Sequence, residues 1–101
     1  MAVSIVENWT DLEGEVLAVE PVPDMPSYRL VEIGVSRAQT VAGFANLLSE
    51  AVGTSVRVHV PVHLVEMTTV TTGVRVACRV RRAGPHKIFA HPDLFRVRAS
   101  R

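Results

Sequence analysis

The stretch from Ser55 to Val65 reads Ser-Val-Arg-Val-His-Val-Pro-Val-His-Leu-Val and contains the most regular alternation in the sequence. Its apolar residues occupy every second position. Because successive side chains of a strand point to opposite faces, this pattern predicts a strand with one buried and one wetter face. The wetter face carries an arginine and two histidines, namely Arg57, His59 and His63. We take the valine face of this strand as the centre of the predicted core.

Length and composition indicate one globular domain. The chain has 101 residues, of which 48% are hydrophobic and 21% charged, and this excludes wholesale disorder. We predict a single domain over 1–101, with 1–11 as a lead-in segment. A lone cysteine, no apolar run of the ~20 residues that span a bilayer, and no signal-peptide pattern make us expect a cytoplasmic protein without membrane contact.

Shorter patterns on either side predict the remaining elements. An apolar stripe at helical spacing runs from Val41 to Val52, after Thr40 as a possible N-cap and before Gly53 as a left-handed C-terminal residue. Three prolines between Pro21 and Pro26 predict a stiff connection that closes a hairpin. The predicted strands are Leu12–Val22, Tyr28–Val35, Ser55–Val65, Val74–Arg82 and Ile88–Val97.

The order of these elements resembles the oligonucleotide/oligosaccharide-binding (OB) fold, a small barrel in which a helix plugs one end. Gly14, inside the first strand, suits the bulge or bend that such barrels need. We therefore predict a mainly β fold with one helix, as a five- or six-stranded OB-like barrel. Such a barrel requires a strand over Ser36–Thr40. The sequence pattern there allows a continuation of the second strand, a short extra strand or a loop. The alternative is an α+β open sheet with one helix on a face.

Charge is distributed unevenly along the chain. Residues 1–73 contain three basic and nine acidic residues, whereas residues 74–101 contain eight basic residues and one acidic residue. Such an asymmetry is typical of a basic binding face, or of neighbouring strands whose charges pair across a sheet.

No arrangement of reactive residues predicts catalysis or a metal site. His59 and His63 lie four residues apart on one predicted strand, hence ~13 Å apart, which is too far for one zinc ion. Cys78 shares its parity with core valines, where cysteine behaves as a small hydrophobe. Glu13 and Glu15 on one strand face indicate a solvated surface. We expect no enzyme, no cofactor and no metal.

Binding is the remaining function, and a basic face is its first candidate surface. Arginines project from the predicted strand Val74–Arg82, and we expect them to lie beside the polar face of the Ser55–Val65 strand. OB barrels hold single-stranded nucleic acid by such cations together with aromatic rings, but aromatics form only 5% of this chain. Trp9 and Tyr28 are expected at the surface, and the pattern leaves Phe89 and Phe95 open between surface and core. Without a stacking platform, binding would depend on phosphate contacts. The predicted face consists of Arg57, His59, His63, Arg75, Arg79 and Arg81.

An apolar surface is the second candidate. Several apolar residues of the first two strands are predicted to point outward, and a small barrel is expected to cover such residues with a partner or with its own copy. These residues are Leu17, Val19, Leu30 and Tyr28. We therefore predict a non-enzymatic assembly module that acts as a homo-oligomer or as an accessory subunit of a larger complex. The alternatives are single-stranded nucleic-acid binding, and small-molecule binding or an enzyme of unknown type.

Overall fold

The structure, a computed structural model, describes residues 7–98 and consists of five strands and one helix. The strands form a closed barrel in the order β1-β2-β3-β5-β4, and all neighbours are antiparallel except β3 and β5, which run parallel. The elements are β1 Thr10–Pro21, β2 Tyr28–Thr40, β3 Ser55–Pro61, α1 Val62–Met67, β4 Arg75–Gly84 and β5 Lys87–Arg98.

This architecture confirms the predicted mainly β, OB-like barrel with one helix. The number of strands is five, and closure of β1 against both β2 and β4 excludes the alternative open sheet. Within residues 7–98, no helix is long and apolar enough to cross a membrane.

The core lies inside the barrel and is built from alternating strand residues, because each strand turns every second side chain inward. Valine dominates this interior, which suits a strongly curved, pleated wall since its branched side chain is already restricted at χ1. The fully buried side chains are Leu12, Val16, Val31, Ile33, Val58, Val60, Val76, Val80 and Thr10. The valine face of the Ser55–Val65 stretch is therefore central to the core up to Val60.

The β1–β2 hairpin bends through two bulges. The register shifts between Glu13 and Gly14, where Ser36 of β2 is left without a partner, and again between Val16 and Ala18, where Leu17 of β1 is left out. A bulge reverses the side-chain parity that follows it. Val19 therefore pairs with Val31 and packs against the core, so its predicted outward position is wrong.

Ser36–Thr40, for which the sequence allowed three structures, continues β2. This strand runs for 13 residues, and its last residue, Thr40, pairs with Thr10 at the start of β1. Because this segment extends β2 and pairs with β1, the barrel closes with five strands and needs no extra strand here. β1 begins at Thr10, two residues before the predicted start.

The predicted helix over Val41–Val52 is wrong. This segment forms turns and one 3₁₀ turn over Ser49–Ala51. Gly43 has φ of +88°, which a helix does not accommodate, and the Asn46 side chain bonds to the Ala38 carbonyl oxygen (3.2 Å) and the Leu48 amide (3.0 Å). Local side-chain bonds of this kind compete with a short helix. Gly53 does adopt a left-handed conformation, with φ of +87°.

The predicted Ser55–Val65 strand ends early, at Pro61, and the remainder forms α1. Proline has no amide to donate to a strand ladder but tolerates the start of a helix, so it marks the change between the two. Val62 and Val65 are three apart and therefore share a helix face, with Val65 buried against the core. A short apolar run fits both the two-residue period of a strand and the 3.6-residue period of a helix. Alternation alone therefore misassigned this segment as strand. His63 consequently lies on α1 and not on the face of β3.

Gly14 generates a prediction about stability, because β1 passes directly over β2 there. A Cβ atom at Gly14 would overlap the Gly34 carbonyl oxygen and lie 2.7 Å from Ile33 Cγ2. We expect Gly14→Ala to destabilise the barrel by on the order of 3 kcal/mol. Thermal unfolding followed by circular dichroism should show a fall in Tm of more than roughly 10 °C.

The facing glycine is the matched control for that substitution. At Gly34 a Cβ atom would approach only the flexible Leu17 side chain, at 3.4 Å. Gly34→Ala should leave Tm within a few degrees of the native value. Equal Tm losses in the two variants would contradict the close approach.

Candidate functional site

Three rings cluster on the outer surface of β2, β3 and β5. The ring centroids of His59 and Phe89 lie 5.0 Å apart, those of Tyr28 and Phe89 5.7 Å, and those of Tyr28 and His59 6.4 Å. Both contacts of Tyr28 are edge-to-face, a favoured geometry for aromatic pairs. The rings therefore support each other in fixed positions.

Strand register produces this cluster. Leu30 of β2 pairs with His59 of β3, which in turn pairs with Phe89 of β5, so the three side chains stand side by side on the outer face. His59 is 7% exposed, and its Nδ1 lies 3.2 Å from the Ile88 carbonyl oxygen. Its predicted place on an exposed face is wrong, because the neighbouring rings cover it.

A second ring pair extends the cluster along β5. The rings of Trp9 and His91 lie 5.3 Å apart and are tilted. Trp9 follows Asn8, whose side chain donates to the Arg82 carbonyl oxygen (2.9 Å) and accepts from the Arg82 amide (2.8 Å). These two bonds fasten the segment before β1 to β4. We call the five rings the ring platform: Trp9, Tyr28, His59, Phe89 and His91.

Two clefts flank the platform, and Met25 of the proline-rich loop lines both. The platform cleft, of about 420 Å³, is lined by Trp9, Met25, Tyr28, Arg81, Phe89, Ala90, His91 and Pro92. The seam cleft, of about 610 Å³, lies where β3 faces the turn before β5. It is lined by Val22, Asp24, Met25, Leu30, Ser55, Val56, Arg57, His59, Pro85, His86, Lys87 and Ile88.

Positive charge accompanies both clefts. Arg81 lines the platform cleft, whereas Arg57 and Lys87 line the seam cleft, and all three side chains are exposed. Asp24 opposes them at the seam, and Glu32 stands across the β2–β3 ladder from Arg57. The surface is therefore an aromatic strip with cations at both ends and a net positive balance.

The predicted basic face is divided by the topology. β3 is bordered by β2 and β5, so it does not lie beside β4 as predicted. The structure brings Arg57 and His59 to the seam cleft and Arg81 to the platform cleft. His63 is separated from them because it is exposed on α1.

The other two predicted arginines lie on the β1–β4 side, where strand charges pair. Arg79 binds Asp11 through two hydrogen bonds of 2.8 and 3.2 Å, and this bonding raises the pKa of its guanidinium. Arg75 donates to the Ser36 hydroxyl at 2.8 Å. Arg98 pairs with Glu13 at 3.3 Å. Cross-strand pairing therefore accounts for part of the charge asymmetry along the chain.

The predicted apolar contact residues also separate. Leu17, 44% exposed, stands on the outer side of the β1 bulge beside Gly34. Leu30 lines the seam cleft, Tyr28 belongs to the ring platform, and Val19 packs on the core. Leu17, Leu30 and Tyr28 therefore lie on the outer side of the barrel as predicted, but at different places, whereas Val19 does not.

Sequence reasoning left Phe89 open and missed His91 of the ring platform, as well as His86 and Lys87 of the seam cleft. A signal for the first two was present: Phe89 and His91 alternate with the buried Ile88 and Ala90, which predicts an outward face. Their proximity to Trp9 and Tyr28 had no local signal, because these residues belong to different strands.

Cys78 is buried within the barrel, as its parity predicted. Burial, with a smaller contribution from the Asp11 charge, raises the pKa of its thiol to about 12. The thiol is therefore protonated at neutral pH, which removes its nucleophilic form. Within residues 7–98, no three His, Cys, Asp or Glu side chains are grouped so as to hold a metal ion.

Comparison of the chain with protein-family models, with curated proteins and with solved structures returns no match.

The Cys78 thiol generates a prediction for alkaline pH. Its folded pKa is raised to about 12 from 9.0, so the unfolded chain loses this proton first and stability falls as pH rises above about 9. Between pH 9 and 10 the free energy of unfolding should fall by about 1 kcal/mol more in the native protein than in Cys78→Ala. Urea unfolding at each pH measures this difference, and parallel pH curves would contradict it.

Proposed function

We propose that the protein binds single-stranded nucleic acid along the ring platform. The observation that carries the proposal is the gathering of five rings on one outer strip, between the proline-rich loop and the β4–β5 turn. OB barrels use their β2–β3 face and these two connections for oligonucleotides and oligosaccharides. The low aromatic content of the chain is offset because most of its aromatic side chains stand together.

Stacking would supply much of the binding free energy. Each base stacked on an aromatic ring contributes about 1–3 kcal/mol, and every base has a face that can stack. Trp9, Tyr28 and Phe89 are half-buried, so packing restricts them while part of each ring lines the platform cleft. Rings held in this way lose little side-chain entropy when a base arrives.

Cations at both ends favour a polyanion over a neutral ligand. Arg81 at one end and Arg57 with Lys87 at the other suit phosphates on either side of the stacked bases. Among the described residues, none of these three forms an ion pair within 4.0 Å. With so few phosphate contacts, we expect moderate affinity and a shallow dependence on salt.

Charge-removal variants test the proposal. Arg57→Ala combined with Arg81→Ala should weaken binding of a single-stranded octamer at 50 mM salt by at least tenfold and reduce the salt slope by about 1–2. Quenching of Trp9, the one tryptophan of the chain, measures the binding. The matched control is Arg75→Ala with Arg96→Ala, which removes two exposed arginines that line neither cleft.

A ring-removal variant separates stacking from charge. Phe89→Leu retains an apolar side chain but removes the ring, so affinity should fall while the salt slope stays unchanged. Absence of any oligonucleotide binding at low salt would end the proposal, as would equal losses in the two arginine pairs.

Protein assembly is the second candidate, and Leu17 is the observation that favours it. This leucine is 44% exposed on the outer surface, where its side chain lies against Gly34, which has no side chain of its own. Apolar area of this kind is a typical centre for contact with a second copy or with a larger complex.

Sedimentation at micromolar concentration tests this second candidate. Self-association should give a species larger than the 11.0 kDa monomer, and Leu17→Glu should restore the monomer because it places a charge in the contact. Met67→Glu on α1, 76% exposed, is the control for added charge. A native protein that sediments as a strict monomer would contradict self-association.

A further inference from the structure

The joint between β3 and β5 is the shortest in the barrel. Among the described residues, only two residue pairs connect these strands, Val58 with Ile88 and His59 with Phe89. Ser55, Val56 and Arg57 precede the paired stretch, and across the seam cleft they face the turn that contains Pro85 and His86. The wall of the barrel is therefore open at this point.

The open joint directs backbone polar groups into the cleft. β3 is antiparallel to β2, and in such a pair alternate residues turn their amide and carbonyl groups away from the partner strand. By this rule, we expect alternate residues of Ser55–Arg57 to direct these groups toward the side on which β5 pairs with Val58 and His59. On this expectation, the edge of β3 before the joint offers backbone groups with which a base edge can form hydrogen bonds.

The dimensions and walls of the seam cleft suit one flat, partly apolar group. Its volume of about 610 Å³ lies within the range of small-ligand sites, which combine apolar walls with a few placed polar groups. Apolar walls come from both sides of the joint and from the proline-rich loop. They are Val22, Met25, Leu30, Val56 and Ile88.

We propose that the seam cleft receives one nucleobase of the bound strand and distinguishes among bases through the backbone of Ser55–Arg57. This inference rests on the proposed binding of single-stranded nucleic acid. Met25 lines both clefts, and His59 belongs to the ring platform and lines the seam cleft, so the seam cleft adjoins the platform on which a strand would stack. Arg57 and Lys87 then meet the phosphates on either side of the inserted base.

A nucleobase fits this site better than an extended peptide does. Only three residues of β3 precede its pairing with β5, which leaves a short edge for strand addition. The Pro85–His86 turn faces that edge, and the positive rim favours phosphate. The cleft is also continuous with the rings, which select planar groups.

The experiment combines fluorescence anisotropy with amide NMR of the native protein. Octamers of deoxythymidine, deoxycytidine and deoxyadenosine are titrated at one salt concentration. We expect at least a fivefold range in Kd among them, and shifts of the Ser55, Val56 and Arg57 amides that are larger for the preferred base. The same titrations are repeated with an acidic peptide of equal charge.

Two tryptophan variants test whether the seam cleft is the place where the protein distinguishes among bases. Leu30→Trp places a ring in the seam cleft and should reduce the range of Kd to less than twofold while binding persists. Met67→Trp adds the same ring on α1, which lines neither cleft, and should retain the native range. Amide spectra establish that each variant is folded.

The possible outcomes separate this inference from the function on which it rests. If the octamers bind with equal Kd and the seam amides do not shift, the base pocket is wrong while nucleic-acid binding stands. Peptide-induced shifts at the seam without nucleotide-induced shifts also overturn it. If no octamer binds at low salt, the proposed function fails and the base pocket fails with it.

Discussion

Barrel closure requires β1 to pass close to the backbone of β2 at Gly14. With no side chain at Gly14, the strand backbone comes into contact with the Gly34 carbonyl group, and the hairpin can bend sharply enough to reach β4. Closure then follows, because the first half of β1 pairs with β4 while its whole length pairs with β2. The valine interior, the buried Cys78 and the positions of the outer rings all presuppose that closed wall.

Much of the fold could be predicted from the sequence, because strand alternation is a strong local signal. The alternation identified much of the inward faces of the first four strands but assigned none to the last, and β4 and β5 lie within two residues of their predicted bounds. The helix was assigned to Val41–Val52 because its apolar spacing is helical, yet Asn46 and Gly43 direct that segment into turns. The true helix was hidden in an alternating run behind Pro61.

The site was less predictable, since it depends on which strands are neighbours. Arg57 and Arg79 both point outward from their strands, as the alternation predicted. Their strands are not neighbours, however, because β5 lies between β3 and β4, and Arg79 is paired with Asp11. Trp9 and His91 meet because Asn8 is bonded to Arg82, an association across 74 residues that no local pattern indicates. Bulges add a further difficulty, because the one at Leu17 moves Val19 from the outer face to the inner one.

The short parallel joint between β3 and β5 also affects the dynamics of the barrel. Strand pairs joined by few ladder bonds are the first to separate in local, sub-global opening, while better-paired regions stay intact. Here the β1–β2 hairpin is the well-paired region, and the joint closes a loop of about thirty residues that carries α1 and β4. A ligand that contacts both β3 and β5 at this joint would hold the two strands together. Its binding free energy would make opening of the barrel less frequent. Amide hydrogen exchange would then become slower even in strands that the ligand does not contact.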